Sequence, residues 1–227
     1  DRTGETTVEI TCNYTNNSKV TVRPLSKNIT PTIQGNKITF KVTEPAQYSV
    51  EINNNRYRNL HVFANPIEEY NFPDADPNTI VYERGIHVYD HSYDNIQGKK
   101  IRIKQGAVLI VPYDAAVWEK DGAIELQNND EIFIEGGGIL KGELRGTDKN
   151  NIKVYGRGVI ESSDYPKQYS PWSSGYAYIR PMYFNRCTNI DIDGIVLSDS
   201  QQFCMMLQDC NTVDINNVKM FSRVLWG

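Results

Sequence analysis

The first quarter of the chain alternates apolar and polar residues. Residues 7–10, 18–22, 37–42 and 48–52 place apolar side chains at every second position, as in Lys37-Ile38-Thr39-Phe40-Lys41-Val42. A period of two predicts strands with one buried face. The words Asn16-Asn17, Gln34-Gly35-Asn36 and Asn53-Asn54-Asn55 separate these strands and supply turn chemistry. Residues 60–64 add a last strand, closed by Asn65-Pro66. Half-apolar strands must cover their faces with a second sheet, so a small β-sandwich is expected over residues 1–66. Residues 67–79 hold two prolines among acidic turn formers and read as a connector.

From residue 80 onward the texture changes to short apolar beats broken by Gly and Asn. Examples are Ile101-Arg102-Ile103, Ile132-Phe133-Ile134, Ile152-Lys153-Val154, Ile190-Asp191-Ile192 and Val213-Asp214-Ile215, offset by 31, 20, 38 and 23 residues. Two offsets suit one coil of a β-solenoid, and the longer ones fit one coil plus an insertion, or two coils. The best internal match sets residues 186–194 on residues 209–217, with Cys187 on Cys210 and Ile190-Asp191-Ile192 on Val213-Asp214-Ile215. Stacked coils repeat apolar side chains in interior columns and turn residues at each bend. The predicted fold is all-β: a sandwich, then the first coils of a right-handed parallel β-helix that is incomplete at residue 227.

Composition narrows the function classes. Lys and Arg number 24 against 28 Asp and Glu, for a formal charge of -4 with no basic block, so a nucleic-acid partner is not expected. No apolar run reaches the length of a membrane span. The chain opens at Asp1 without a Met or apolar leader, which is compatible with a removed signal and with a secreted, periplasmic or cell-surface protein. Three Asn-X-Ser/Thr sequons begin at Asn13, Asn16 and Asn28. Cys12, Cys187, Cys204 and Cys210 match no zinc spacing and read as packed free thiols. His87 and His91 lie near Asp90 and Asp94 without a third ligand in pattern, so turn or surface roles are expected. Neither a metal nor a cofactor is predicted.

At residues 151–162, 180–184 and 187–200 the coils resemble the β-helical polysaccharide hydrolases, namely the polygalacturonase family and the dextranase–isopullulanase family. Residues 22–26, 62–66 and 82–87 similarly resemble the front module, a β-sandwich that precedes the helix, of the dextranase-like enzymes. The resemblance implies an inverting, endo-acting glycoside hydrolase taking an α-glucan such as dextran, or a pectic polymer. It also implies that catalytic aspartates sit on later coils, in an Asn/Thr-Asp-Gly word that this chain does not contain. The expectation is therefore a chain without catalytic residues of its own, partnered by downstream coils. The rival expectation is a non-catalytic carbohydrate-binding or adhesion protein.

One stretch looks suited to sugar. Residues 164–180 interrupt the coils with four tyrosines and a tryptophan. Flat rings suit the C–H face of a pyranose, and neighbouring polar groups can take its hydroxyls. Tyr165, Trp172, Tyr176, Tyr178 and Arg180 are the candidates there. Asp199 and Gln201, at the end of the strand through Leu197, are candidates for the border of a cleft.

Overall fold

A computed structural model describes the chain except residues 2, 14–17, 71, 73–75, 115–120, 166–178, 201–202 and 223–227, and the side chain of Arg58. It divides into two compact units, Asp1–Tyr70 and Asn71–Gly227.

Among its described residues the first unit has six strands: β1 (Thr6–Thr11), β2 (Val20–Arg23), β3 (Thr32–Gln34), β4 (Lys37–Val42), β5 (Ala46–Ile52) and β6 (Asn55–Ala64). They form two antiparallel sheets, ordered β1-β4-β3 and β2-β5-β6. The period-two pattern sends Ile38, Phe40 and Val42 of one sheet and Val22, Tyr48, Val50 and Ile52 of the other into a shared core. Asn53 and Asn54, at φ 54° and 59°, make the two-residue turn from β5 to β6. Both residues of such a turn need positive φ, which Asn tolerates better than most residues.

The second unit is a stack of coils. The first contributes β7 (Thr79–Tyr82) and β8 (Gly85–Val88); the second β9 (Lys100–Ile103), β10 (Ala107–Ile110) and β11 (Ala123–Glu125). The third holds β12 (Glu131–Ile134), β13 (Ile139–Lys141) and β14 (Glu143–Thr147), and the fourth β15 (Asn150–Gly156), β16 (Val159–Glu161) and β17 (Met182–Asn185). The fifth has β18 (Thr188–Asp193), β19 (Val196–Ser198) and β20 (Met205–Gln208), and the sixth β21 (Asn211–Asn216) and β22 (Lys219–Phe221). Three parallel sheets run up the stack, ordered β7-β9-β12-β15-β18-β21, β8-β10-β13-β16-β19-β22 and β11-β14-β17-β20. This is a right-handed parallel β-helix, the hand that twisted parallel strands favour.

Register explains why these residues fold so. Ile80, Ile101, Ile132, Val154, Ile192 and Ile215 pair in one column of the first sheet. Leu109, Leu140, Ile160, Leu197 and Met220 form a column of the second, and Ile124, Leu144, Met182 and Met205 one of the third. Most of these side chains are fully buried, each contributing about 1.5–3 kcal/mol of transfer free energy. Ile132 pairs with Val154 and not with Ile152, so that coil is two residues longer than the apolar beats indicate. The offsets of 31 and 38 are single coils with insertions, because β9 pairs directly with β12 and β15 with β18.

Bends recur as the internal match predicts. Asn129, Asn151, Asn189 and Thr212 all take the left-handed conformation at one corner (φ 54–66°). Their amides form a ladder: Asn151 Nδ2 donates to Asn129 Oδ1 at 2.9 Å, and Asn189 Nδ2 to Asn151 Oδ1 at 3.0 Å. Cys187 and Cys210 lie one above the other, both as free thiols. Phe72 stacks on Phe133 and tilts against Tyr155 on the outside of the first sheet, at 5.6 and 6.3 Å between centroids.

Candidate functional site

Three of the longer connections leave the stack at the same corner, between its second and third sheets. They are residues 111–122 in the second coil, 162–181 in the fourth and 199–204 in the fifth, whereas the third coil turns with Gly142 alone. Gly142 has φ +147°, and a Cβ there would lie 2.6 Å from Val111 Cγ2 and 2.8 Å from the Gly122 carbonyl oxygen. Only glycine permits that turn. The described ends of the long fourth-coil insertion fold back across this short corner. Tyr165 is buried, with its hydroxyl 2.7 Å from both the Val111 and Lys141 carbonyl oxygens and its ring edge-on to Tyr113. Ile179 packs on Gly122, where a Cβ would come within 2.5 Å of Ile179 Cδ1.

Beside this corner, the outer face of the third sheet carries a polar cluster. Strand alternation turns Leu144 and Ile124 inward and leaves Glu125, Arg145, Tyr183 and Met206 in one outward column. The Arg145 guanidinium sits among three carboxylates. Its Nε donates to Glu143 Oε1 at 2.8 Å, and its Nη1 to Glu125 Oε1 at 3.0 Å and, closely, to Asp121 Oδ2. Burial works against the charge of Arg145, yet Glu143 and Asp121 hold its pKa above the ordinary arginine value. Glu143 is fully buried, and its Oε2 accepts the Arg180 amide N–H at 2.6 Å. Burial pushes the Glu143 carboxyl up, opposed by Arg145 and the Arg180 amide. Glu125 is also pushed up by burial, against the pull of Arg145, and its side chain keeps 40% exposure.

A second buttress stands next to Glu125. His91 Nδ1 lies 2.8 Å from Asp94 Oδ2, while Asp94 Oδ1 accepts the Tyr89 hydroxyl at 2.9 Å and the Glu125 amide at 3.2 Å. His91 and Asp94 thus fix a turn, whose first residue Asp90 caps Ser92 N at 2.9 Å. Among the described residues no group of three His, Cys, Asp or Glu side chains is arranged to hold a metal ion.

The sequence candidates separate. Trp172, Tyr176, Tyr178 and Gln201 lie outside the described residues. Tyr165 packs inward and anchors the insertion. Arg180 emerges from the same insertion and places its guanidinium 4.9 Å from the centre of the Tyr183 ring, beside the cluster. Asp199 stands at the corresponding corner one coil up, in the left-handed conformation (φ 51°). Its amide donates to the Phe221 carbonyl at 2.9 Å and its carbonyl accepts Ser162 Oγ at 3.3 Å, so its backbone ties three coils together. Asp164 is an exposed ion-pair partner of Lys141. Asp121, Glu125, Glu143 and Arg145 were not singled out from the sequence. Their signal is the alternation in Ala123-Ile124-Glu125 and Glu143-Leu144-Arg145, two strands too short to stand out.

No family model matches the chain, and no curated protein does. Among solved structures, one from Parabacteroides merdae, provisionally named a glycosyl hydrolase, matches 55% of the chain at 18% identity with a TM-score of 0.43. The match spans 60% of the length of that Parabacteroides chain.

Proposed function

We propose that this chain is the leading part of a polysaccharide hydrolase and contributes glycan binding at the outer face of its third sheet. The substrate class is an α-glucan such as dextran or a pectic polymer, cleaved with inversion and in the interior of the chain by the complete enzyme. The observation that carries this reading is the convergence of insertions on one corner, beside a half-open face where Glu125, Arg145, Arg180 and Tyr183 meet. A cation, a carboxylate and a ring together can take sugar hydroxyls and a pyranose face.

The chemistry of the cluster favours binding over hydrolysis by these residues. An inverting site needs a protonated carboxyl and a second carboxylate about 6.5–9.5 Å away with water between them. Here Arg145 ties Asp121, Glu125 and Glu143 to one guanidinium, which holds all three as acceptors of a single cation. Catalytic aspartates are assigned to further coils. A secreted or cell-surface location fits a polymeric substrate.

The test is calorimetric titration of dextran, pullulan and polygalacturonate oligomers into the 227-residue chain, with a reducing-sugar assay in parallel. Binding without turnover is expected, and Tyr183→Ala weakens it about tenfold, the loss of one contact ring. Turnover at ordinary enzyme rates would return catalysis to Glu125 or Asp121. Absence of binding to every polymer would overturn the reading. The rival, a carbohydrate-binding protein with no catalytic partner, is favoured only by the same Arg145 ties, and sequencing the gene past Gly227 for an aspartate word separates the two.

A further inference from the structure

The outer face of the first sheet, round the stack from the third, holds a groove of about 710 Å³ running across coils three to six. That size lies within the range of small-ligand pockets. One wall is the asparagine ladder, Asn129, Asn151 and Asn189, continued by Thr212. The other is the outward column Glu131, Lys153, Asp191 and Asp214, held in register by the strands.

We propose that this groove is a second glycan-binding site, separate from the third-sheet face, for a neutral linear oligosaccharide lying along the stack. The proposal rests on the reading that the protein acts on a polysaccharide. Three features of the groove point there. First, its polar groups repeat once per coil, about 4.8 Å apart as strands are, close to the length of a pyranose unit. A polymer of identical units can therefore meet the same chemistry at each step.

Second, the groove offers both donors and acceptors with capacity to spare. The side chains of Lys153, Asp191 and Asp214 make no hydrogen bond among the described residues. Within the ladder, one N–H of Asn151 and both of Asn129 are without a partner there, and Asn189 Oδ1 accepts nothing. Each amide has two donors and two acceptor sites, so the ladder can bond to itself and still face a ligand. Vicinal hydroxyls, each able to donate and accept, match such a mixed surface.

Third, the charges select against acidic polymers. Lys153 stands between Glu131 and Asp191, with Asp214 beyond. Burial, and then Asp214 beside it, push the Asp191 carboxyl up, so its surroundings already disfavour another negative charge. A polyuronate would meet that repulsion at every coil, whereas a neutral glucan would not.

The experiment uses the full chain labelled with ¹⁵N, titrated with isomaltohexaose, maltohexaose and hexagalacturonate and followed by amide shifts. A neutral hexasaccharide is expected to move the resonances of Asn151, Lys153, Asn189, Asp191 and Thr212. Lys153→Ala/Asp191→Ala should lower that affinity at least tenfold at an unchanged melting temperature, because both side chains are exposed or unpartnered. Shifts confined to Glu125, Arg145 and Tyr183 would refute the groove and leave the third-sheet reading intact. Hexagalacturonate as the preferred ligand of the groove would overturn the charge argument. No shift with any of the three would remove both sites.

Discussion

Asp130→Ala should destabilise the β-helix by about 4 kcal/mol, because it leaves a lysine charge inside the stack with almost nothing to pair with. Lys99 and Asp130 are both fully buried. Asp130 Oδ2 accepts Lys99 Nζ at 2.5 Å and the Gln127 amide at 2.7 Å, and Oδ1 accepts the Lys99 amide at 2.9 Å. Lys99 Nζ has one other acceptor, the Glu125 carbonyl at 2.9 Å. Burial pushes the Asp130 carboxyl up, and Lys99 foremost opposes it. Truncation therefore strands the ammonium on a single carbonyl and orphans two amide N–H groups.

Breaking a buried pair by removing one partner costs about 3–5 kcal/mol, and an orphaned buried donor costs about 1–3. The two penalties overlap, since Lys99 can shift toward solvent or lose its proton. A total near 4 kcal/mol is a large share of the 5–15 kcal/mol typical of a whole domain. Replacing both residues, as Lys99→Met/Asp130→Leu, should recover most of the loss, because no charge is left to desolvate. Urea unfolding followed by circular dichroism on the two single variants and the double gives the coupling energy directly. A loss below about 1 kcal/mol for Asp130→Ala, or a double variant no more stable than the single, would refute the buried-charge argument. Because Lys99 also holds the end of β11 through the Glu125 carbonyl, glycan affinity at the third-sheet face should fall with Asp130→Ala as well.

Thr212→Asn should extend the asparagine ladder by one rung and raise stability by about 0.5–1 kcal/mol, the net worth of a hydrogen bond, since Asn suits the left-handed backbone there better than Thr. A thermal melt reads it, and a lower melting temperature would show the ladder to be incidental. Lys219 is buried with Nζ 3.1 Å from the Gly194 carbonyl oxygen, and burial depresses its pKa to about 8. The unfolded lysine keeps its proton to about 10.4, so between these values the unfolded state binds more protons and stability rises with pH. Lys219→Met should flatten that rise relative to the parent; an unchanged difference between the two proteins from pH 8 to 10 would contradict it.

The β-helix was legible because its interior must be refilled at every coil. Ile101, Ile132, Ile192 and Ile215 recur for that reason, and the eye finds them. The same logic misled at Ile152, which is buried but stands two residues before the partner of Ile132. An apolar beat marks a coil without fixing its register; the hydrogen-bonded turn at Asn151 does that. The first coil was harder to see because Ile86 and Val88, on its second strand, are largely exposed. The third sheet was nearly silent, since β11 spans three residues, β17 and β20 four each and β14 only five. A strand of three residues shows one alternation, which chance supplies as easily as selection. The turn words for the sandwich were plain, because Asn53-Asn54 can hardly be anything but a hairpin turn.

The candidate site hides from sequence for a related reason. Its members come from strands one coil apart, so Glu125, Arg145 and Tyr183 share no local word and meet only through register. What assembles them is the contrast between coils. The third coil turns on Gly142 alone, which lets Tyr165 and Ile179 of the fourth coil reach the second and lock the insertion across the gap. The buried Glu143 is then tolerated only because Arg145 and the Arg180 amide satisfy it, and Arg180 is brought there by the insertion that Tyr165 and Ile179 anchor. The insertion and the charge cluster are thus one construction. Tyr165, by packing inward onto the Val111 and Lys141 carbonyls, leaves the surface and instead fixes the near end of the insertion at this corner.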